Sequence, residues 1–364
     1  MTKPKALYIH IPFCNYICDY CDFTKLQYFS FDVNPYLDAL EVELKNYQIG
    51  ELDTIYVGGG TPTSLTEEEL TRLLNIIDPY IVNVKEYTFE ANPDSLTLAK
   101  LKLLKSHHVN RLSIGVESTS NEILKAINRH HSYEDVIRLV KEARSVGFKN
   151  INVDLILGLP HVSKKMIEKD INNLIALEVE HISCYSLTVS PHTAFYIKKI
   201  NAPEDDILRD YYDLVTKELE SHGYIHYEVS NYAKEGYFSK HNLTYWRNEE
   251  YYGLGLGASG YINKVRYVNT KNLKKYLAHQ FIDNKEEVSK VDEMNYELML
   301  RLRTIEGIDL EEFKKRYKID LYKEKSDEIS DFVKKNFLQI SASKITPTYE
   351  GMMLLDQILV KLFF

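Results

Sequence analysis

The feature that most constrains this chain is an alternation. Six short apolar segments recur along its first half: "ALYIHI" (6–11), "DTIYVG" (53–58), "EYTFEA" (86–91), "RLSIGV" (111–116), "INVDLIL" (151–157) and "HISCYSL" (181–187). Between them lie stretches such as "NPYLDALEVELKNY" and "TEEELTRLLNIID", whose apolar residues fall at the three-and-four spacing of an amphipathic helix. Ser64 with Glu67, and Ser132 with Asp135, read as capping-box starts of two such helices. Strand and helix alternating this regularly imply a parallel sheet with right-handed crossovers. Six units are too few to close an eight-stranded barrel. The expected fold is therefore α/β, an open partial (β/α)6 barrel.

The polar oddities fall at one edge of that plan. A cysteine loop follows the first strand and "GGGTPT" the second; Glu90 ends the third, Glu117 the fourth, Asp154 lies in the fifth and Thr188 ends the sixth. Parallel α/β sheets build their sites at the C-terminal edges of the strands. Six coincidences at one rim point to an active site.

Three of the four cysteines lie within "HIPFCNYICDYCDF" as Cys14, Cys18 and Cys21, spaced C-x3-C-x2-C, while Cys184 stands alone. No long apolar run precedes them, so a secretory signal is not expected. A reducing, cytoplasmic setting makes clustered cysteines metal ligands rather than disulfides. Structural zinc usually takes four protein ligands, commonly as two close pairs, and no second pair exists; His10 sits in an apolar strand whose sheet sets its direction. A 4Fe-4S cube has four irons, and three thiolates leave one iron open for a substrate or cofactor.

This spacing, just after the first strand of a (β/α)6 array, resembles the radical S-adenosylmethionine superfamily. The resemblance implies a 4Fe-4S cluster on Cys14, Cys18 and Cys21, with S-adenosylmethionine chelated by the open iron and cleaved by one electron to a 5′-deoxyadenosyl radical. Gly59, Gly60 and Thr61 in "YVGGGTPTSL" match its glycine motif, and Glu90 is the expected partner of the cofactor's ammonium group. "SIGVESTSNEILKAINRHHS" and "NVDLILGLP" resemble the oxygen-independent coproporphyrinogen III oxidase-like family, in which a Gln, an Arg and an Asp contact the cofactor. The matching residues are Glu117, Arg129 and Asp154. Glu117 departs from the amide, and a carboxylate only accepts hydrogen bonds. Tyr8, Tyr20 and Thr188 fall at further cofactor-contacting positions. A second glycine run, "GLGLGASG", carries G-x-G-x-x-G at Gly255, Gly257 and Gly260, but "YINKVRYVN" after it alternates like a strand. It is therefore a glycine-rich turn and no dinucleotide fingerprint.

The resemblance extends through "HYEVSNYA", "HNLTYW" and a tail ordered helix, hairpin, helix like a small winged-helix module. We expect a radical-SAM domain over residues 1–230 and a smaller mixed α/β C-terminal domain over 231–364. Phe23 stands where the family's oxidases carry a further cysteine, and only thirteen residues precede Cys14. Both features match the haem-chaperone group of the family. In that group the histidine of "HNLTYW" is implicated in binding haem, which implies His241, with Trp246 beside it. On residue chemistry alone His241 is a hydrogen-bonded loop histidine and Trp246 a core plug. The implied partners are haem and an acceptor protein of unknown identity, such as a membrane haem enzyme. A net charge of −8 argues against nucleic acid as a partner, and nothing approaches the ~20 apolar residues of a membrane span. Oxidative decarboxylation of coproporphyrinogen III is the alternative activity, with radical tRNA modification after it.

Overall fold

The computed structural model describes residues 3–364. Six parallel strands form its spine: β1 (Ala6–Ile11), β2 (Thr54–Gly59), β3 (Glu86–Ala91), β4 (Arg111–Glu117), β5 (Ile151–Leu157) and β6 (His181–Ser186). Three shorter strands complete the sheet: β7 (Ile225–Glu228), β8 (Asn231–Ala233) and β9 (Tyr252–Leu254). The order is β9-β1-β2-β3-β4-β5-β6-β8-β7. β9 runs parallel to β1, whereas β8 is antiparallel to both β6 and β7. The two edges do not pair with each other, so the barrel is open, as the six-unit count anticipates. The division expected at residue 230 falls between β7 and β8, which are neighbours in this sheet. The chain then returns through β9 to cover the exposed edge of β1.

The outer face of the curled sheet is the main apolar core. Ile55, Val57, Phe89, Leu112, Ile114, Val153 and Leu155 pack there against helices α1 (Asn34–Asn46), α2 (Glu67–Ile77), α3 (Leu98–Ser106), α4 (Tyr133–Val146), α5 (Lys164–Ile175) and α6 (Asp205–Ser221). The alternate residues, which point inward, are polar: Thr54 and Tyr56, Thr88 and Glu90, Ser113, Asn152 and Asp154, Ser183 and Tyr185. Strand geometry turns successive side chains to opposite faces, so the period of two divides core from site. Ser132 and Asp135 form the expected capping box of α4. At α2 the box is made by Thr66 and Glu69 instead of Ser64 and Glu67, because residues 62–64 are drawn into a 3-10 turn behind the glycine loop.

The segment read as one strand over "YINKVRYVN" is a hairpin of Ser259–Ile262 and Val265–Asn269, extended by Ile282–Glu287. Asn263 and Lys264 are both left-handed (φ 52° and 61°), which gives the tight two-residue turn that matches strand twist. The G-x-G-x-x-G stretch before it packs behind the cysteine loop and opens no helix. A separate core around Leu298, Phe313, Ile329 and Ile358 gathers helices Lys290–Arg301, Leu310–Tyr317, Ser326–Lys334 and Leu355–Leu362 about a small sheet. Strands Leu338–Ser341 and Lys344–Pro347 form its hairpin, in winged-helix order. Among the described residues no helix is long and apolar enough to cross a membrane.

Gly257 couples this periphery to the site. Its φ is +75°, and a Cβ there would lie 2.3 Å from Oγ1 of Thr24, whose carbonyl is 2.7 Å from His10 Nε2. Gly257→Ala therefore combines left-handed strain of roughly 1–2 kcal/mol with a clash against the cysteine loop. A drop in Tm by calorimetry, together with faster proteolysis within residues 15–25, is expected.

Candidate functional site

One cavity of about 510 Å³ opens at the C-terminal ends of the parallel strands. Cys14, Cys18 and Cys21 line one side. Gly59, Gly60, Thr61, Glu90, Glu117, Arg129, Asp154, Tyr20 and Thr188 line the rest, so the structure gathers nearly all the expected cofactor residues. Tyr8 is the exception. Its hydroxyl is 2.9 Å from Nδ1 of His10 and its ring lies 6.0 Å from that of Tyr56, which places it beneath the cavity floor. Thr188 lies two residues beyond the end of β6.

The cysteines are free thiols, Cys14 buried and Cys18 and Cys21 half-buried. Thr61 Oγ1 donates to Cys14 Sγ at 3.6 Å and Arg129 Nη1 to Cys18 Sγ at 3.7 Å. Burial pushes the Cys14 thiol up to about 12, although the Thr61 hydrogen bond pulls the other way. Such a thiol keeps its proton until a cation replaces it. Among the described residues no three Cys, His, Asp or Glu side chains converge tightly enough to hold a single ion. The three thiols line one side of the cavity. The glycine loop comes close enough to serve a group bound to them: a Cβ on Gly60 would sit 2.7 Å from the Pro12 carbonyl carbon and 2.9 Å from Cys14 Sγ. With thiols, two sulfur-directed donors and a side-chain-free approach, the residues present fit a cluster.

The opposite wall is rich in carboxylates. Glu90 accepts from Tyr56 Oη at 2.7 Å and from the Gly59 N–H at 2.9 Å, yet burial still raises its pKa. Asp154 accepts from Asn152 Nδ2 at 2.7 Å; burial, with Glu117 and Glu90 nearby, pushes it up to about 7. Glu117 sits at a bulge where β4 slips register against β5, with φ +67°, and a bulge re-aims the side chain it carries. There it pairs with Arg129 at 3.5 Å. Arg129 also donates to Asn92 Oδ1 at 3.0 Å and to the Gly115 carbonyl. Burial opposes its charge, but Tyr20, Cys18 and Glu117 outweigh burial and raise its pKa further. Glu117 is therefore a counter-ion to Arg129.

Sequence reading missed Tyr56, Asn92 and Tyr185, which also line the cavity. Asn92 lies two residues beyond Glu90, so counting in twos from that rim residue would have found it, whereas no residue already singled out pointed in this way to Tyr185.

His241 and Trp246 lie elsewhere. They belong to α7 (Lys240–Trp246), which closes the other end of the barrel. Glu86, the first residue of β3, caps this helix by accepting from the N–H groups of Lys240 and His241, each at 2.9 Å. His241 is 0% exposed, with Nδ1 2.9 Å from Thr54 Oγ1 and Nε2 2.7 Å from Tyr245 Oη. Burial, and Arg111 beyond it, lower its pKa to about 3. Thr54 begins β2 and Gly59 ends it, so roughly 16 Å of strand separates His241 from the glycine loop. Both ring nitrogens of His241 are thus hydrogen-bonded within the fold, away from the cysteine cavity. Trp246 is half-buried against the cluster of Tyr227, Ala233 and Leu243.

Residues 8–174 match the family model described as the radical SAM superfamily, and residues 288–354 that of the HemN C-terminal domain. Heme chaperone HemW of Bacillus subtilis (strain 168) is 40% identical over 370 residues, covering 97% of this chain and 98% of that protein. Its namesake in Lactococcus lactis subsp. lactis (strain IL1403) is 37% identical, covering 96% and 95%. That of Escherichia coli (strain K12) is 34% identical, covering 85% of each. Among solved structures, coproporphyrinogen III oxidase (HemN) from Escherichia coli, described as a radical SAM enzyme, superposes with a TM-score of 0.86 at 22% identity. The match covers 99% of this chain and 90% of that one, and it establishes the fold.

Removing the buried imidazole leaves a cavity and strands the Thr54 and Tyr245 hydroxyls. His241→Ala should therefore cost about 2–4 kcal/mol of stability, read as a lowered midpoint in urea unfolding.

Proposed function

The chain belongs to the HemW family of the radical SAM superfamily, and from that premise we propose that it is a haem chaperone. It binds haem and hands it to an acceptor protein, such as a membrane haem enzyme, while carrying a 4Fe-4S cluster on Cys14, Cys18 and Cys21 and an exchangeable S-adenosylmethionine. The observation that supports this most is the shared cavity, with three thiols on one wall and the glycine loop, Glu90, Asp154 and Arg129 around them. When bound, the cluster supplies an open iron position and a single electron.

The chain's own residues bind and orient. Glu90, already held by Tyr56 and Gly59, keeps lone pairs for the cofactor's ammonium group. Gly59 to Thr61 bring backbone where a side chain would intrude. Arg129 keeps positive charge beside Cys18, balancing the thiolates. Tyr20 and Tyr185 present aromatic surface to the cavity. Haem contact through His241 and Trp246 requires α7 to leave its seat, breaking the Glu86 cap and both imidazole hydrogen bonds, so haem association by that route is limited by opening rather than by encounter.

Two measurements test the proposal. Anaerobic, cluster-loaded protein is titrated with haem by difference absorbance, then mixed with a haem-free acceptor. A parallel sample receives S-adenosylmethionine, a reductant and coproporphyrinogen III. Haem binding and transfer without protoporphyrinogen are expected. Protoporphyrinogen formation would replace the chaperone reading with the oxidase.

Asp154 adds a pH dependence. Its proton stays on until about pH 7, and the groups facing it are Glu117, Glu90 and Tyr185, with Asn152 donating. A cationic cofactor prefers the ionised carboxylate, so affinity for S-adenosylmethionine rises several-fold as pH climbs through about 7. Asp154→Asn should flatten that profile in calorimetric titrations.

A further inference from the structure

Four consecutive residues, Ile127 to His130, meet four consecutive residues of the cysteine loop, Tyr16 to Asp19. The Ile127 carbonyl accepts from the Asp19 N–H at 3.2 Å, and Asn128 Nδ2 donates to the Ile17 carbonyl at 2.8 Å. Arg129 reaches Cys18, and the His130 ring lies flat on Tyr16, with centroids 3.7 Å apart and planes 18° from parallel. Asn128 makes the arrangement possible. Its φ is +61°, in the left-handed region that asparagine tolerates, and its Oδ1 lies 3.1 Å from Nε2 of His130. One side chain therefore holds both the loop and the stacking ring. The segment is anchored at each end, by the Arg129 N–H donating to the Leu124 carbonyl at 2.9 Å and by the Ser132–Asp135 capping box.

We propose that Asn128 and His130 form a clamp that positions the cysteine loop and sets how firmly the cluster is retained. The inference rests on the cluster reading above. Neither residue lines the cavity, so both are positioning residues. Ordering a loop residue costs conformational entropy. A loop already held in place has lost that freedom before the thiols bind, which favours retention of the cluster over its release. A loosened clamp lets each sulfur leave its iron more often and exposes the cluster to solvent and oxygen.

The test uses the full chain. Asn128→Gly keeps the left-handed backbone while removing both side-chain bonds, His130→Ala removes the stack, and His130→Phe restores it. Read out are the decay of the cluster's visible absorbance in air and, in cluster-free protein, the rate at which iodoacetamide alkylates Cys18. Asn128→Gly and His130→Ala should decay and alkylate several-fold faster than the unaltered chain, at closely similar Tm, and His130→Phe should return to near the original rates. Equal rates in all four proteins would overturn the clamp, and so would failure of His130→Phe to restore them. If the unaltered chain takes up no iron and sulfide, the cluster reading fails, and the alkylation rates still decide the clamp.

Discussion

Arg129 sits 9% exposed among groups that otherwise have no reason to stay together: a cysteine of the loop, the carboxylate of Glu117, the amide of Asn92 and the carbonyl of Gly115. A buried guanidinium is tolerable only when its donors and its charge are met. Here the two Nη groups and the charge are met while Nε has no partner, and those contacts fix the distances between the cysteine loop, the end of β3 and the bulge of β4. The same charge lies beside an acidic wall, where Glu90, Glu117 and Asp154 all have raised pKa values from burial. With Asp22 the cavity lining carries four carboxyl groups against two cations, Lys25 and Arg129, and is short of positive charge. A ligand bearing an ammonium and a sulfonium supplies what is missing.

The two ends of the barrel are treated differently. At the C-terminal ends of the strands the inner face stays open, and its polar residues line a cavity. At the other end α7 fills the interior, capped by Glu86 and locked by His241 against Thr54 and Tyr245. The ends are in contact through side chains: the His241 ring lies 5.2 Å from that of Tyr56, whose hydroxyl donates to Glu90. Displacing α7 removes the packing beneath the residue that orients Glu90.

Much of this was written along the chain. The alternation of strand and helix fixed the parallel sheet, because each short apolar run must bury one face under the helix that follows it. The cysteine spacing and the residues at strand ends located the cavity, because a parallel sheet carries all its C-terminal ends to one edge. Local turn chemistry was less legible. The α2 cap moved from Ser64 to Thr66 when tertiary packing claimed residues 62–64 for a 3-10 turn, and one strand proved to be a hairpin.

Pairing across long separations was beyond reach of the sequence. Nothing in "HNLTYW" says that Thr54, nearly two hundred residues earlier, occupies His241 Nδ1, and "SNEILKAINRHHS" does not announce that Asn128 and His130 close on the cysteine loop. The pattern of apolar and polar residues determines which face of each strand is hidden, since hydrophobic burial is summed locally along the chain. Only the tertiary structure decides which polar group meets which, because a hydrogen bond depends on ångström placement that the whole fold must supply.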